Sequence, residues 1–90
     1  MYDDMPQVVA RNLRLLRQAR ELSQEELAHL AGIDRTYISA LERAKYSPTV
    51  SMVGKLAEVL GVLPAKLLEL PKRGGGRGER RTGRRRTNVP

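Results

Sequence analysis

Apolar residues recur along this chain with the period of a helix, in short runs separated by stop signals. Val9, Leu13 and Leu16 stand at i, i+4 and i+7, which predicts a helix over 5–20. Asp4 is placed to cap it, and Pro6 falls in the first turn, where a missing N–H costs nothing. In "LSQEELAHLAG", Ser23 and Glu26 make an S-x-x-E capping box, in which each side chain satisfies the other's exposed backbone N–H. The short helix that follows turns Leu27, Ala28 and Ala31 inward and stops at Gly32, a residue suited to the left-handed conformation that closes a helix. Asp34 caps a third helix over 35–43, anchored by Ile38 and Leu41. After the loop "AKYSP", Thr49 caps a fourth helix over 50–60, with Val50, Val53, Leu56, Ala57 and Leu60 apolar and Gly61 as its stop. Gly54 inside that helix costs about 1 kcal/mol relative to Ala, which marks either close packing or nothing. Pro64 opens a short fifth helix bearing Leu63, Leu67, Leu68 and Leu70, and Pro71 ends it. No useful length alternates with a period of two, so the fold predicted is all-α.

Composition narrows this further. Ninety residues suggest one small domain, and with three tyrosines as the only aromatics its core must be built from Leu, Val, Ile and Ala. The absence of cysteine excludes disulfides and thiolate metal sites. The longest apolar run is far short of a bilayer span, and the acidic start is unlike a signal peptide, so a cytoplasmic protein is expected, with no membrane partner. The net charge of +7 is unevenly placed. Residues 1–71 hold nine Lys/Arg and nine Asp/Glu and are formally neutral, whereas 72–90 hold eight basic residues and one acid, Glu79. Two segments follow: a folded domain over 1–71 and a Gly/Arg-rich tail over 72–90, whose composition predicts disorder. The tail's arginines have two readings, sequence-independent phosphate contacts or a solubilising extension; without aromatics it has no base-stacking signature.

The second and third helices are joined only by the residues around Gly32, Ile33 and Asp34, the arrangement of a helix-turn-helix. Its steric demands are met together: small Ala28 where the helices cross, Gly32 in the turn, Ile33 tucked inward, and Ile38 and Leu41 as anchors. The outer face of the third helix then carries Arg35, Thr36, Ser39, Ala40 and Arg43. Solvated helix faces favour long Lys, Glu and Gln; this face is short at its centre and basic at its ends.

"SQEELA", "AGIDRTYIS", "LER" and a fourth helix ending "LGV" resemble the Cro/C1-type (XRE) helix-turn-helix regulators, and among them the controller proteins of restriction–modification systems. The resemblance covers about 60 of the 90 residues and omits the tail. It implies a five-helix, lambda-repressor-like domain and a sequence-specific transcription regulator that places its third helix in the major groove of a palindromic double-stranded DNA operator. On that reading Arg35, Thr36, Ser39 and Ala40 face base edges. Arg35 suits a guanine, Thr36 a thymine methyl or a polar edge, and Ser39 and Ala40 are small enough to let the helix lie deep. Gln24, Tyr37, Arg43, Lys45, Tyr46, Ser47 and Thr49 are the backbone-contact candidates, Gln24 being at a helix N-terminus. The resemblance also implies that Arg17 pairs with Glu42 as a structural clamp. The family commonly has Gly or Asn at the position of Ala44, so the third helix is expected to run on or end differently here; Leu63 likewise replaces the usual small polar cap.

Leu63, Leu67 and Leu70 make a leucine stripe that either caps the core or joins a homodimer; a dimer would set two recognition helices about 34 Å apart. His29 stands without metal-ligand company, and no catalytic constellation, cofactor site or small-molecule site is evident. An antitoxin or phage-type repressor is the alternative within DNA binding. A non-enzymatic protein or RNA interaction module is the alternative outside it, favoured only by the neutral body.

Overall fold

The computed structural model describes residues 4–71. The expectations for the 72–90 tail lie outside them. Five helices follow in order: α1 (Met5–Ala19), α2 (Gln24–Ala31), α3 (Arg35–Glu42), α4 (Val50–Leu60) and α5 (Pro64–Leu67). Among the described residues there is no strand, and no helix is long and apolar enough to cross a membrane.

The periodic apolar positions converge on one core. Leu13 of α1 meets Leu27, Ala28 and Ala31 of α2, Ile38 and Leu41 of α3, Val53, Leu56, Ala57 and Leu60 of α4, and Leu67 of α5. Fully burying one such leucine contributes about 1.5–3 kcal/mol. Val50 departs from the predicted pattern: at the first turn of α4 it is 90% exposed. No heavy atom lies within 4 Å of where a Cβ on Gly54 would stand, so that glycine serves no close approach.

Local chemistry sets most helix ends. Ser23 Oγ accepts from Glu26 N at 2.9 Å while Ser23 N donates to Glu26 Oε1 at 2.7 Å, the reciprocal capping box. Asp34 accepts from Thr36 N at 2.9 Å, and Thr49 Oγ1 accepts from Met52 N at 3.0 Å. Asp4 occupies the N-cap position of α1, but its side chain makes no capping bond; Pro6 in the first turn already removes one of the donors such a cap would serve. Gly61 closes α4 at φ 72°, and a Cβ there would also stand 2.7 Å from Nη1 of Arg20. That guanidinium donates to the Leu60 carbonyl, satisfying an acceptor at the end of α4.

Three expectations near the helix ends are corrected. The fifth helix has only four residues, so Leu63, Leu67 and Leu70 are not one helical face. Leu67 is 0% exposed and completes the monomer core, whereas Leu63 is 78% exposed at the N-cap, where it provides no side-chain capping bond. Leu67 is therefore withdrawn from the dimer surface; Leu63 and Leu70 stay exposed. The carbonyls of Leu67 and Glu69 are taken instead by Nδ2 of buried Asn12, at 2.8 and 2.9 Å. Third, α3 does not run on through Ala44. It ends as a glycine would end it, with Ala44 at φ +59° and Lys45 N donating to Ala40 O at 2.9 Å.

A left-handed alanine carries a steric cost of about 1–2 kcal/mol, partly offset because glycine loses more freedom on folding. Ala44→Gly is accordingly expected to stabilise the domain by about 1 kcal/mol, raising the calorimetric Tm by about 4–8 °C.

Candidate nucleic-acid interface

The turn between α2 and α3 fixes the direction of everything after it. Gly32 adopts φ 69° and ψ 33°, and Ile33 N reaches back to Ala28 O at 2.9 Å, which closes α2 and throws the chain across it. A Cβ on Gly32 would meet nothing within 4 Å, so the glycine is needed for its backbone conformation alone.

At about 100° per residue, Arg35, Ser39, Arg43 and Thr36 fall within a single arc of roughly 100° on α3. Arg35, Thr36 and Arg43 are exposed and Ser39 is half-buried. Ala40 stands about 40° beyond Thr36 on the same wheel and has turned under. It is 4% exposed. Ala40 is thus removed from the outer face, because the closely packed side of α3 begins there; what it offers is a small inward residue rather than clearance for a groove. The remaining arc is narrow, polar and cationic at both ends.

Behind this arc the three helices meet at one carboxylate. Arg17 of α1 approaches Glu42 of α3 with Nε to Oε2 at 2.7 Å and Nη2 to Oε1 at 3.0 Å. Gln24 of α2 donates to Oε1 at 3.1 Å, and Arg17 Nη1 also reaches the Leu22 carbonyl at 2.8 Å. The side chains of Arg17 and Glu42 are only 12% and 3% exposed. The Glu42 hydrogen bond holds the Arg17 pKa above its ordinary value, against burial, which pushes it down. The expected clamp is present, with Gln24 as an additional member. Gln24, which the sequence places toward a phosphate, spends part of its donor capacity on Glu42 and retains a second Nε2–H.

The exit from α3 gathers further polar groups. Tyr37 and Tyr46 stack with ring centroids 6.5 Å apart and planes inclined by 22°, within the range of favourable aromatic pairs. Tyr37 is half-buried against the core while Tyr46, Lys45, Ser47 and Thr49 are exposed. Arg43 Nε donates to Ser39 O at 3.3 Å, which lays the guanidinium along its own helix. His29 is exposed on α2, and among the described residues no group of three His, Asp or Glu side chains gathers to hold a metal. Sequence reasoning missed Arg14, whose Nη1 donates to the Glu42 carbonyl at 3.4 Å, and Asn12. Arg14 sits one turn before Arg17 on α1, a spacing that was available to find it.

The helix-turn-helix family model matches residues 13–67. A hypothetical transcription factor of Neisseria meningitidis is 45% identical over 69 residues, covering 77% of this chain and 65% of the relative, so the chain spans just under two thirds of that protein's length. The crystal structure of the restriction–modification controller protein C.AhdI from Aeromonas hydrophila aligns at TM-score 0.67 and 39% identity, over 69% of this chain and 94% of that one. The controller protein C.Esp1396I, solved as a tetramer with its natural 35-base-pair operator, aligns at TM-score 0.66 and 26% identity, over 73% and 87% of the two chains.

Removing Glu42 alone strands a largely buried guanidinium, a loss of about 3–5 kcal/mol for such pairs. Glu42→Leu is expected to lower urea stability by that amount, and the double replacement Arg17→Met/Glu42→Leu to recover most of it.

Proposed function

The chain belongs to the helix-turn-helix family, in its Cro/C1-type branch, and on that premise we propose that it is a sequence-specific regulator of transcription that reads duplex DNA with α3. The observation that carries this is the arc of exposed Arg35, Thr36 and Arg43 with half-buried Ser39 between them, beside the three-helix clamp. A major groove about 12 Å wide admits one helix. Arg35 and Thr36 lie in the first turn of α3, the part of a recognition helix that faces base edges. Arg35 donates two parallel N–H bonds to a guanine, Thr36 meets a thymine methyl or a polar edge, and Ser39 leaves space behind them. Tyr46, Ser47, Thr49, Lys45 and Arg43 line the exit of α3 and the start of α4 and contact phosphates, as do Tyr37 at its rim and the remaining N–H of Gln24. The operator complex of C.Esp1396I supports a DNA partner. The activity is binding, not catalysis, and it is exercised in the cytoplasm.

The protein acts as a homodimer on an inverted repeat. An apolar groove of about 340 Å³ runs between the start of α1, the loop before α4, and α5, lined by Met5, Val9, Val50, Pro64 and Leu68 among others. Leu63 and Leu70 are exposed as well; Val50, which lines the groove, is the most exposed large apolar residue of the described chain. A symmetric pairing across it covers apolar surface that a lone protomer leaves in water.

Two measurements test this reading. Duplexes enriched by the full chain from a random pool should share an inverted repeat with half-site centres about 10 base pairs apart. Arg35→Ala should lose about 10–100-fold of the preference for them with helical circular dichroism unchanged, in keeping with about 1–3 kcal/mol for a bidentate guanine contact. Preference that survives the substitution removes α3 as the reader. The paired substitution Val50→Glu/Leu68→Glu should convert a dimer into a folded monomer in sedimentation; an unchanged mass places the dimer contact elsewhere.

A further inference from the structure

One buried polar side chain lies outside the clamp. Asn12 of α1 is only 8% exposed. Its amide Nδ2 donates to the carbonyls of Leu67 at 2.8 Å and Glu69 at 2.9 Å, which uses both of its N–H groups. Arg11 Nη1 donates to Oδ1 at 2.8 Å, and that bond fixes which way the amide faces. An apolar residue would fill this place without the desolvation that a buried amide has to offset. What the asparagine contributes is a fixed position for the two carbonyls.

Those carbonyls bracket Leu68. Leu68 is 44% exposed and lines the apolar groove with Pro64, while Met5, Pro6 and Val9 line it from α1. Asn12 stands at i+3 from Val9, on an adjoining face of the same helix. Little else holds the segment that follows α5. Helical structure ends at Leu67, and Glu69 N reaches Lys66 O at only 3.5 Å. The Lys66–Glu69 ion pair has both side chains more than half exposed and adds little. The Leu67 side chain fastens the segment to the core at one point, about which it could turn; the amide adds the second and third points. We propose that Asn12 is a positioning residue for self-association, setting the spacing between the α1 wall and the 67–70 wall of the groove so that Leu68 is presented to the partner protomer. The inference rests on the homodimer proposed above. Without the amide, the two carbonyls of a lone protomer turn to water, and pairing has to bury them again with no donor.

Sedimentation equilibrium on the full-length chain tests this. Asn12→Leu, close in volume but without a donor, is expected to raise the dimer dissociation constant about 10–100-fold through the two bonds lost. At concentrations where wild type and variant are both monomeric, exchange of the Leu68 amide, which donates to Ala65 O at 3.0 Å, quickens in the variant, while that of Leu56 in α4 stays slow. Ile38→Val is the comparison, a core change in α3, which contributes no residue to the groove. It lowers the urea midpoint and leaves the dissociation constant unchanged. Arg11→Met removes only the bond that orients the amide; it raises the constant about 3–10-fold and decides alone if Asn12→Leu does not fold. The proposal is overturned if Val50→Glu/Leu68→Glu yields a monomer while both latch variants stay within about twofold of the wild-type constant, since Asn12 then only packs. It is overturned equally if Ile38→Val weakens pairing as much as Asn12→Leu, which makes the effect one of global stability. A Val50→Glu/Leu68→Glu chain that stays dimeric fails the groove as the contact and takes the role of Asn12 with it, so the two failures are read on different variants.

Discussion

A single carboxylate holds the helix-turn-helix to the rest of the domain. Glu42 is nearly buried, and it is tolerable there because Arg17 meets it with two hydrogen bonds and Gln24 with a third. Each partner comes from a different helix, so α1, α2 and α3 are located relative to one another by geometry, where apolar packing alone permits sliding. Such a pair is weak evidence of stability, since its desolvation offsets much of the attraction. What it supplies is direction: the arc carrying Arg35 and Thr36 is held at a fixed angle to α1 and to the start of α2.

Much of this was legible from residues because the relevant chemistry is local. The Ser23–Glu26 box, the Asp34 and Thr49 caps and the left-handed Gly32 and Gly61 each involve partners within a few positions. The clamp, spanning 25 residues, was reached by family resemblance rather than by spacing. Asn12 was invisible because its acceptors, the carbonyls of Leu67 and Glu69, lie 55 and 57 residues away and belong to backbone, which leaves no trace in side-chain pattern. Ala40 was misplaced for a different reason. It stands at the boundary of the arc, and which side of that boundary is covered depends on what packs across it. The i, i+4, i+7 spacing of Leu63, Leu67 and Leu70 misleads about Leu67 because the helix stops after four residues.

Helix endings show what local rules leave undetermined. Glu21 and Ala44 both take positive φ, at 58° and 59°, where sequence offers no glycine. In both places the following amide, of Leu22 or Lys45, closes back onto the helix, to Arg17 O or Ala40 O. Satisfying those carbonyls and starting the next segment in the right direction outweigh the steric cost at each site. The turn after α3 has been kept while the residue best suited to it has not.

The Asn12 latch has a bearing on how the protein is made. The amide on α1 cannot close its two bonds, and the core cannot receive Leu67, until nearly all of the described chain has been synthesised. A product of interrupted translation ending before residue 67 would carry α1 to α4 with an open core and unlatched, presenting apolar surface to proteases and chaperones. A chain cut short there is marked by its own open core, because the residue that closes it comes last among the buried ones.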